Sequence, residues 1–270
     1  MKPIKHTRHR ASRLFLIALR ASFLALLLFC TSHNTHSQTA IIIIDDLGYD
    51  LATGKAIAEL PIPLTLAIIP FSPHAQTIAQ LAKQHGKEVI IHSPMSSIDG
   101  RAIDPGGLHS DMNRAEFDQA LELQLAELPE ATGLNNHMGS LLTQKPEAMT
   151  WLMQQLKQRQ LFFVDSRTTP ESIALTTALN NQVTAWRRDV FLDHYRDPLL
   201  IENQLHVLAK KAKQQGLAVA IGHPYEETIE ALNRHWQIMT DEGITLVTPS
   251  LVMKSKLLAH SVNKNYTDDQ

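Results

Sequence analysis

Cysteine is almost absent from this chain. Its one cysteine, Cys30, falls in an apolar N-terminal stretch, so a mature chain cut beyond it has none. Such a chain has no disulfides, thiol catalysis or cysteine-ligated zinc, and it suits an oxidising compartment. A charge excess is also missing. With 25 Lys+Arg against 27 Asp+Glu the net charge is −2, which offers nucleic acid no general basic field. The apolar run Ala21–Cys30 is too short to favour a stable transmembrane helix. No linker divides the region after residue 38 and no internal repeat is visible, so a single α/β domain is expected there.

The N-terminus reads separately from the rest. A basic "MKPIKHTRHRASR" precedes the apolar "LFLIALRASFLALLLFC", and small and polar residues, "TSHNTHSQTA", follow. That is the order of a secretory signal. Residues 1–37 are therefore expected to be a signal peptide or an uncleaved N-terminal membrane anchor, with a cleavage site near Thr35–Ser37. The protein is expected to be exported and periplasmic. A main domain over 38–260 and a polar C-terminal tail over 261–270 complete the division.

From residue 40, short apolar runs alternate with longer amphipathic segments. Strands are predicted at 40–44, 64–69, 88–92, 133–136, 161–165, 183–186, 217–221 and 244–247. Helices are predicted near 50–59, 74–85, 114–128, 146–159, 171–179, 198–215, 225–240 and 250–258. Asn113 with Glu116 has capping-box spacing, Pro146, Pro170 and Pro198 suit first turns, and Thr169 suits an N-cap. The pattern predicts a mostly parallel sheet covered by helices, either open and doubly wound or closed as a barrel. "SPMSSIDGRAIDPGGLHSDM", residues 93–112, is a long Pro/Gly-rich segment directly after a strand. Loops of that length are commonly functional.

Functional groups of parallel α/β folds gather at the carboxyl ends of strands. "IIIIDDLGYD" ends the first strand on two adjacent carboxylates, Asp45 and Asp46. "IIHSPM" supplies His92, "GLNNHMGS" supplies Asn135, Asn136 and His137, and "AIGHPYEE" supplies His223. "FFVDSRT" adds Asp165 and Arg167, and "DVFLDH" adds Asp193. Each has an ordinary reading taken alone: an Asp caps the next helix, a loop His is solvated, Asp165 pairs with Arg167. Together they put carboxylates and imidazoles on one rim. One Asp and two His form an open catalytic zinc site, and a cation there offsets the repulsion of the paired Asp residues.

These segments, in this order over residues 39–258, resemble the divergent polysaccharide deacetylases, relatives of the NodB-type carbohydrate esterases. The resemblance implies a distorted (β/α) barrel of seven to eight mostly parallel strands. It also implies Asp45 as catalytic base, Asp46 as metal ligand, His92 as the first histidine ligand and His223 as catalytic acid. Two departures stand out. The second motif histidine of the wider family is replaced here by Ser96, and the family's Arg-containing third motif gives way to Asn-Asn-His. His137 is accordingly expected to supply the missing ligand. Asn135, Asn136, Asp165, Arg167 and Asp193 are the candidate substrate contacts.

The expected activity is hydrolysis of N-acetyl C–N amide bonds in an envelope polysaccharide or related glycan, using a divalent metal ion, most simply zinc. A peptidoglycan-derived substrate belongs to the same expectation. Two other readings remain open at this stage: a non-catalytic envelope protein binding glycan or protein, and a metal-dependent amidase cutting a peptide link in peptidoglycan.

Overall fold

The structure is a computed structural model that describes residues 38–255. The expected signal or anchor over 1–37 and the tail over 261–270 lie outside the described residues.

Among the described residues, nine parallel strands are interspersed with eight complete α-helices, a short 3-10 turn (Leu142–Gln144) and a last helical stretch at 249–255. The strands are β1 (Thr39–Leu47), β2 (Thr65–Ile68), β3 (Glu88–Met95), β4 (Gly133–Met138), β5 (Phe162–Asp165), β6 (Ala185–Arg187), β7 (Val190–Phe191), β8 (Leu217–Gly222) and β9 (Thr245–Leu246). The helices are α1 (Leu51–Glu59), α2 (Ala75–Gln84), α3 (Arg114–Glu127), α4 (Pro146–Gln158), α5 (Ala174–Asn180), α6 (Pro198–Gln215), α7 (Glu226–His235) and α8 (Gln237–Asp241). The sheet runs β6-β5-β4-β3-β2-β1-β8-β7, with β9 paired to the start of β1. β6 and β7 are its two unclosed ends, and inner-face residues of β1, β2, β3, β5 and β8 meet in one cluster, so the sheet curls into a distorted half-barrel rather than an open doubly wound sheet.

Strand pleating sorts the apolar residues into two layers. On β1, Ile42 and Ile44 pack outward with the helices, while Ile41 and Ile43 face inward with Ala67, Ile90, Phe162, Val164, Val219 and Ile221. Strands buried on both faces read as unbroken apolar runs, which explains "AIIII". Asp45 has the parity of Ile41 and Ile43, so it stands at the mouth of the inner layer.

Asp46 should by parity face the helices, and a bulge prevents that. Ile44 pairs with Leu66 and Leu47 with Ile68, so two residues of β1 oppose one of β2. Asp46 takes up the extra residue in a left-handed conformation, φ 57°. Both carboxylates thereby reach the same end of the barrel. Gly48 follows at φ 126°, where a Cβ would lie 1.8 Å from Ser72 Oγ. Gly48→Ala is expected to lower stability by about 1–3 kcal/mol, measured by urea unfolding. Wild-type stability in this variant would show that the turn tolerates a side chain.

Several predicted boundaries move. β1, β3 and β4 run three, three and two residues past their expected ends, at Ile44, His92 and Asn136, so their polar motifs sit on strands rather than after them. β7 is too short to show any periodicity and was not expected. The helix expected over 225–240 is divided at Trp236 into α7 and α8, and residues 249–255 are helical. Asn113 and Glu116 form the expected capping box of α3, and Pro146 and Pro198 open α4 and α6. Pro170 and Thr169 do not start a helix, because α5 begins only at Ala174 with Ile173 before it.

Candidate active site

β1, β3, β4 and β8 bring their carboxyl ends to one cleft of about 520 Å³, lined by Asp45, Asp46, His92, His137 and His223 among others. Asp46 Oδ1 lies 3.0 Å from His92 Nε2 and 2.9 Å from His137 Nδ1, and those two ring nitrogens are 3.2 Å apart. Asp45 Oδ2 is 3.7 Å from His92 Nε2, and His223 Nε2 is 3.8 Å from Asp46 Oδ2. The cluster is continuous, with each group within reach of the next.

Local register explains the convergence. His92 pairs with Asn135 across β3 and β4, so their side chains share a face, and His137 stands two residues further along the same face. His92 Nδ1 donates to Asn135 Oδ1 at 2.7 Å, and Asn135 Nδ2 donates to Asp45 Oδ1 at 2.7 Å. One buried amide thus orients both a histidine and the candidate base. On the other side, His137 Nε2 faces Asp104 Oδ2 at 3.4 Å, and Tyr49 Oη donates to the second oxygen of that carboxylate. Asp104 belongs to the long 93–112 segment, which borders the cleft through Ser97, Asp99 and Arg101.

The electrostatics follow from burial and from this contact network. Burial raises the Asp45 carboxyl above the usual range, against the opposing pull of His92, His223 and the Asn135 hydrogen bond. Burial also works to raise Asp46, but hydrogen bonds and charge from His137 and His92 hold it well below that range. For His92 burial disfavours the cation, yet Asp45, Asp46 and Asn135 push it up to about 9. His223 is likewise raised against its own burial, by Asp193 first and then by Asp45 and Asp46. Asp193 Oδ1 accepts from His223 Nδ1 at 2.9 Å, which leaves Nε2 pointing into the cleft.

A divalent cation fits the donor set. Asp46, His92 and His137 each offer one ligand atom, and the three atoms lie within 4.8 Å of one another. An oxygen and two imidazole nitrogens suit zinc and leave coordination positions open. The remote nitrogens of both histidines already face protein acceptors, Asn135 and Asp104, the arrangement that orients metal-ligating imidazoles. Ser96 is no substitute ligand. Its hydroxyl accepts from Ser110 N at 2.9 Å, and its backbone holds Leu108, Leu141 and Leu142.

The candidate substrate contacts divide. Arg167 lines the cleft, whereas Asn136 borders it with both amide atoms engaged, Nδ2 donating to Met138 O at 2.8 Å and Oδ1 accepting from Ser166 N at 2.9 Å. Asn135, Asn136, Asp165 and Asp193 are buried and turned to protein partners, which corrects the expectation that they face substrate. Asp165 accepts from Arg167 N at 2.9 Å and Ser172 Oγ at 2.8 Å; its link to Arg167 is to the backbone, not a salt bridge. Asp193 accepts from His223 and from Thr228 Oγ1 at 2.8 Å. Sequence reasoning missed Tyr49, Asp104, Arg188, Phe191 and His194. The loop composition pointed towards Asp104, whereas the β6–β7 segment carried no comparable signal.

The profile of the divergent polysaccharide deacetylase family matches residues 42–253. An uncharacterized protein of Haemophilus influenzae is 37% identical over 202 residues, which cover 75% of this chain and 72% of the relative. The uncharacterized protein YibQ of Escherichia coli is 32% identical over 212 residues, 78% of this chain and 66% of the relative. In fold, the chain is similar to the crystal structure of an uncharacterized protein from Agrobacterium tumefaciens, with TM-score 0.76, 23% identity and coverage of 81% of this chain and 90% of that one. It is also similar in fold to a CE4 family pseudoenzyme from Bacillus anthracis, with TM-score 0.51, 11% identity and coverage of 79% and 64%. By its matched motifs, its half-barrel and its Asp/His cleft, this chain belongs to the divergent polysaccharide deacetylase family.

Proposed function

We propose that the protein is an exported, zinc-dependent hydrolase that removes N-acetyl groups from an envelope glycan. The observation that carries this reading is one cleft holding an Asp/His/His cluster flanked by a second carboxylate, Asp45, and by an oriented imidazole, His223. Asp46, His92 and His137 would hold the cation. When bound, it supplies Lewis acidity towards the acetamide carbonyl and lowers the pKa of water from about 15.7 towards roughly 7.

The chain's own groups divide the remaining work. Asp45, fixed by Asn135, takes the proton of the attacking water. His223, held by Asp193 with Nε2 in the cleft, gives a proton to the departing amine.

Released acetate and a new free amine on an N-acetylated glycan, both dependent on added zinc, are the expected products. A cut peptide link with no acetate would favour the amidase reading instead. The non-catalytic reading draws on Ser96 in place of the second motif histidine and on the pseudoenzyme of similar fold. It predicts no bound metal after chelator-free purification and no rescue by zinc.

Asp104→Asn tests the support of His137. Loss of the carboxylate facing Nε2 is expected to weaken zinc binding about 10–100-fold, read by competition with a chromogenic chelator. Unchanged affinity would make the contact incidental.

The proposed export rests on the basic, apolar, then small-residue N-terminus. Among the described residues no helix is long and apolar enough to cross a membrane. Fractionation of producing cells with N-terminal sequencing should recover a periplasmic chain beginning near residue 38. Full-length protein in the cytoplasm would reject export.

A further inference from the structure

Two arginines line one wall of the cleft, Arg167 after β5 and Arg188 before β7. Neither forms an ion pair with a described carboxylate, whereas Arg101 and Arg114 pair with Asp99 and Asp118 at 2.7 and 2.6 Å. Arg188 is otherwise committed. It donates from Nε to Ser166 O at 2.7 Å and from Nη2 to Arg167 O at 2.9 Å, and its guanidinium lies 4.7 Å from the Phe191 ring centroid.

Arg167 is held differently. Its backbone is left-handed, φ 52°, an unfavourable state for a residue with a Cβ. Asp165, fully buried, accepts its N–H, and Arg188 donates to its carbonyl, so two charged side chains fix the strained turn. The guanidinium so positioned donates to no described group. The acidic residue that senses its charge, Glu171, is itself exposed and bonded to Thr169 Oγ1. The carboxylates lower in the cleft are already engaged, Asp46 by two histidines and Asp45 by Asn135. A cation carried on a fixed turn at the cleft wall, beside a second cation and without a described acceptor, is an unfilled half of an ion pair.

We infer that Arg167 binds an oxyanion of the substrate, so that the glycan carries a carboxylate or phosphate on the sugar next to the acetamide. This rests on the deacetylase reading and names its substrate class: acidic glycans rather than neutral chitin-like polymers. The planar fork of a guanidinium matches either group with two parallel hydrogen bonds, and a partly desolvated wall strengthens them.

The test uses the full-length Asp45→Asn protein with zinc added, whose slowed turnover leaves glycan binding to be measured. Calorimetry compares a muramic-acid-containing peptidoglycan tetrasaccharide with the same molecule after conversion of its carboxylates to methylamides. A second pair compares chitotetraose with its 6-phosphorylated form. At least one charged probe is expected to bind about 10-fold tighter than its neutral partner, and which one does so distinguishes carboxylate from phosphate. Adding Arg167→Gln should erase the preference, and Arg167→Lys should retain part of it. Equal binding of charged and neutral probes, or a preference that survives Arg167→Gln, overturns the inference. The two readings fail separately. Acetate released by the wild type from neutral chitotetraose, with no charge preference in binding, removes the anion site and keeps the deacetylase. A charge preference lost in Arg167→Gln, with no acetate from any probe, keeps the oxyanion site and removes the deacetylase.

Discussion

Asp45→Asn and His223→Ala should each lower turnover by about 10²–10⁴-fold, the usual contribution of a positioned acid or base, while leaving zinc occupancy close to wild type. The asymmetry follows from geometry. Neither residue belongs to the three-atom donor cluster, yet both border it, Asp45 3.7 Å from His92 Nε2 and His223 3.8 Å from Asp46 Oδ2. Asn at position 45 keeps the shape and one acceptor for Asn135 but cannot take a proton. The pH profile should carry the same information. Asp193 raises His223, so the imidazole stays protonated, and competent as an acid, to higher pH than usual. Asp193→Asn removes that anion and lowers the His223 pKa, so activity should be lost at lower pH on the alkaline side. An alkaline limb that does not move would separate Asp193 from the acid. Loss of zinc in Asp45→Asn with retention in Asp46→Ala would mean that the two carboxylates have exchanged roles.

The second large effect concerns the metal. Asp46→Ala, His92→Ala and His137→Ala should each weaken zinc binding by more than ~100-fold, beyond the 10–100-fold typical of losing an outer-shell partner. His137→Ala is the decisive variant, because Ser96 stands where the wider family has its second histidine and is occupied by Ser110 and the surrounding backbone. Titration calorimetry on chelator-stripped protein measures all three. Wild-type affinity in His137→Ala would leave the site with Asp46 and His92 alone and reject the replacement ligand. Circular dichroism would separate loss of a ligand from loss of fold, most needed for His92, which is buried. Asp46 and His137 are partly exposed and should fold without their side chains.

The two carboxylates show how far local reading reaches. Apolar runs ending in polar residues identify strands and their functional ends, since burial on both faces of a parallel sheet demands unbroken apolar sequence. Asp45, Asp46, His92, His137 and His223 were legible on that basis and do share one cleft. Their neighbours were less so. Asn135, Asp165 and Asp193 occur in the same polar motifs as the cleft residues, and only the direction of each side chain separates a group facing substrate from one holding a neighbour. Asn135 shows this well: in sequence it is one polar residue among three, and in the fold it joins His92 to Asp45.

The sequence by itself determined the alternation of strand and helix, the parallel sheet and the five Asp and His residues that meet in the cleft, because strand periodicity, capping residues and burial act over a few neighbouring positions. Tertiary structure decided three things. It chose the curled half-barrel over an open sheet, since curvature depends on how strands far apart in the chain pair. It turned Asp46 inward through a bulge whose register is set against β2. It also placed Asp104 beside His137 and fixed Arg167 between Asp165 and Arg188. These are contacts between segments remote in sequence, and no local pattern encodes the distance that separates them in space.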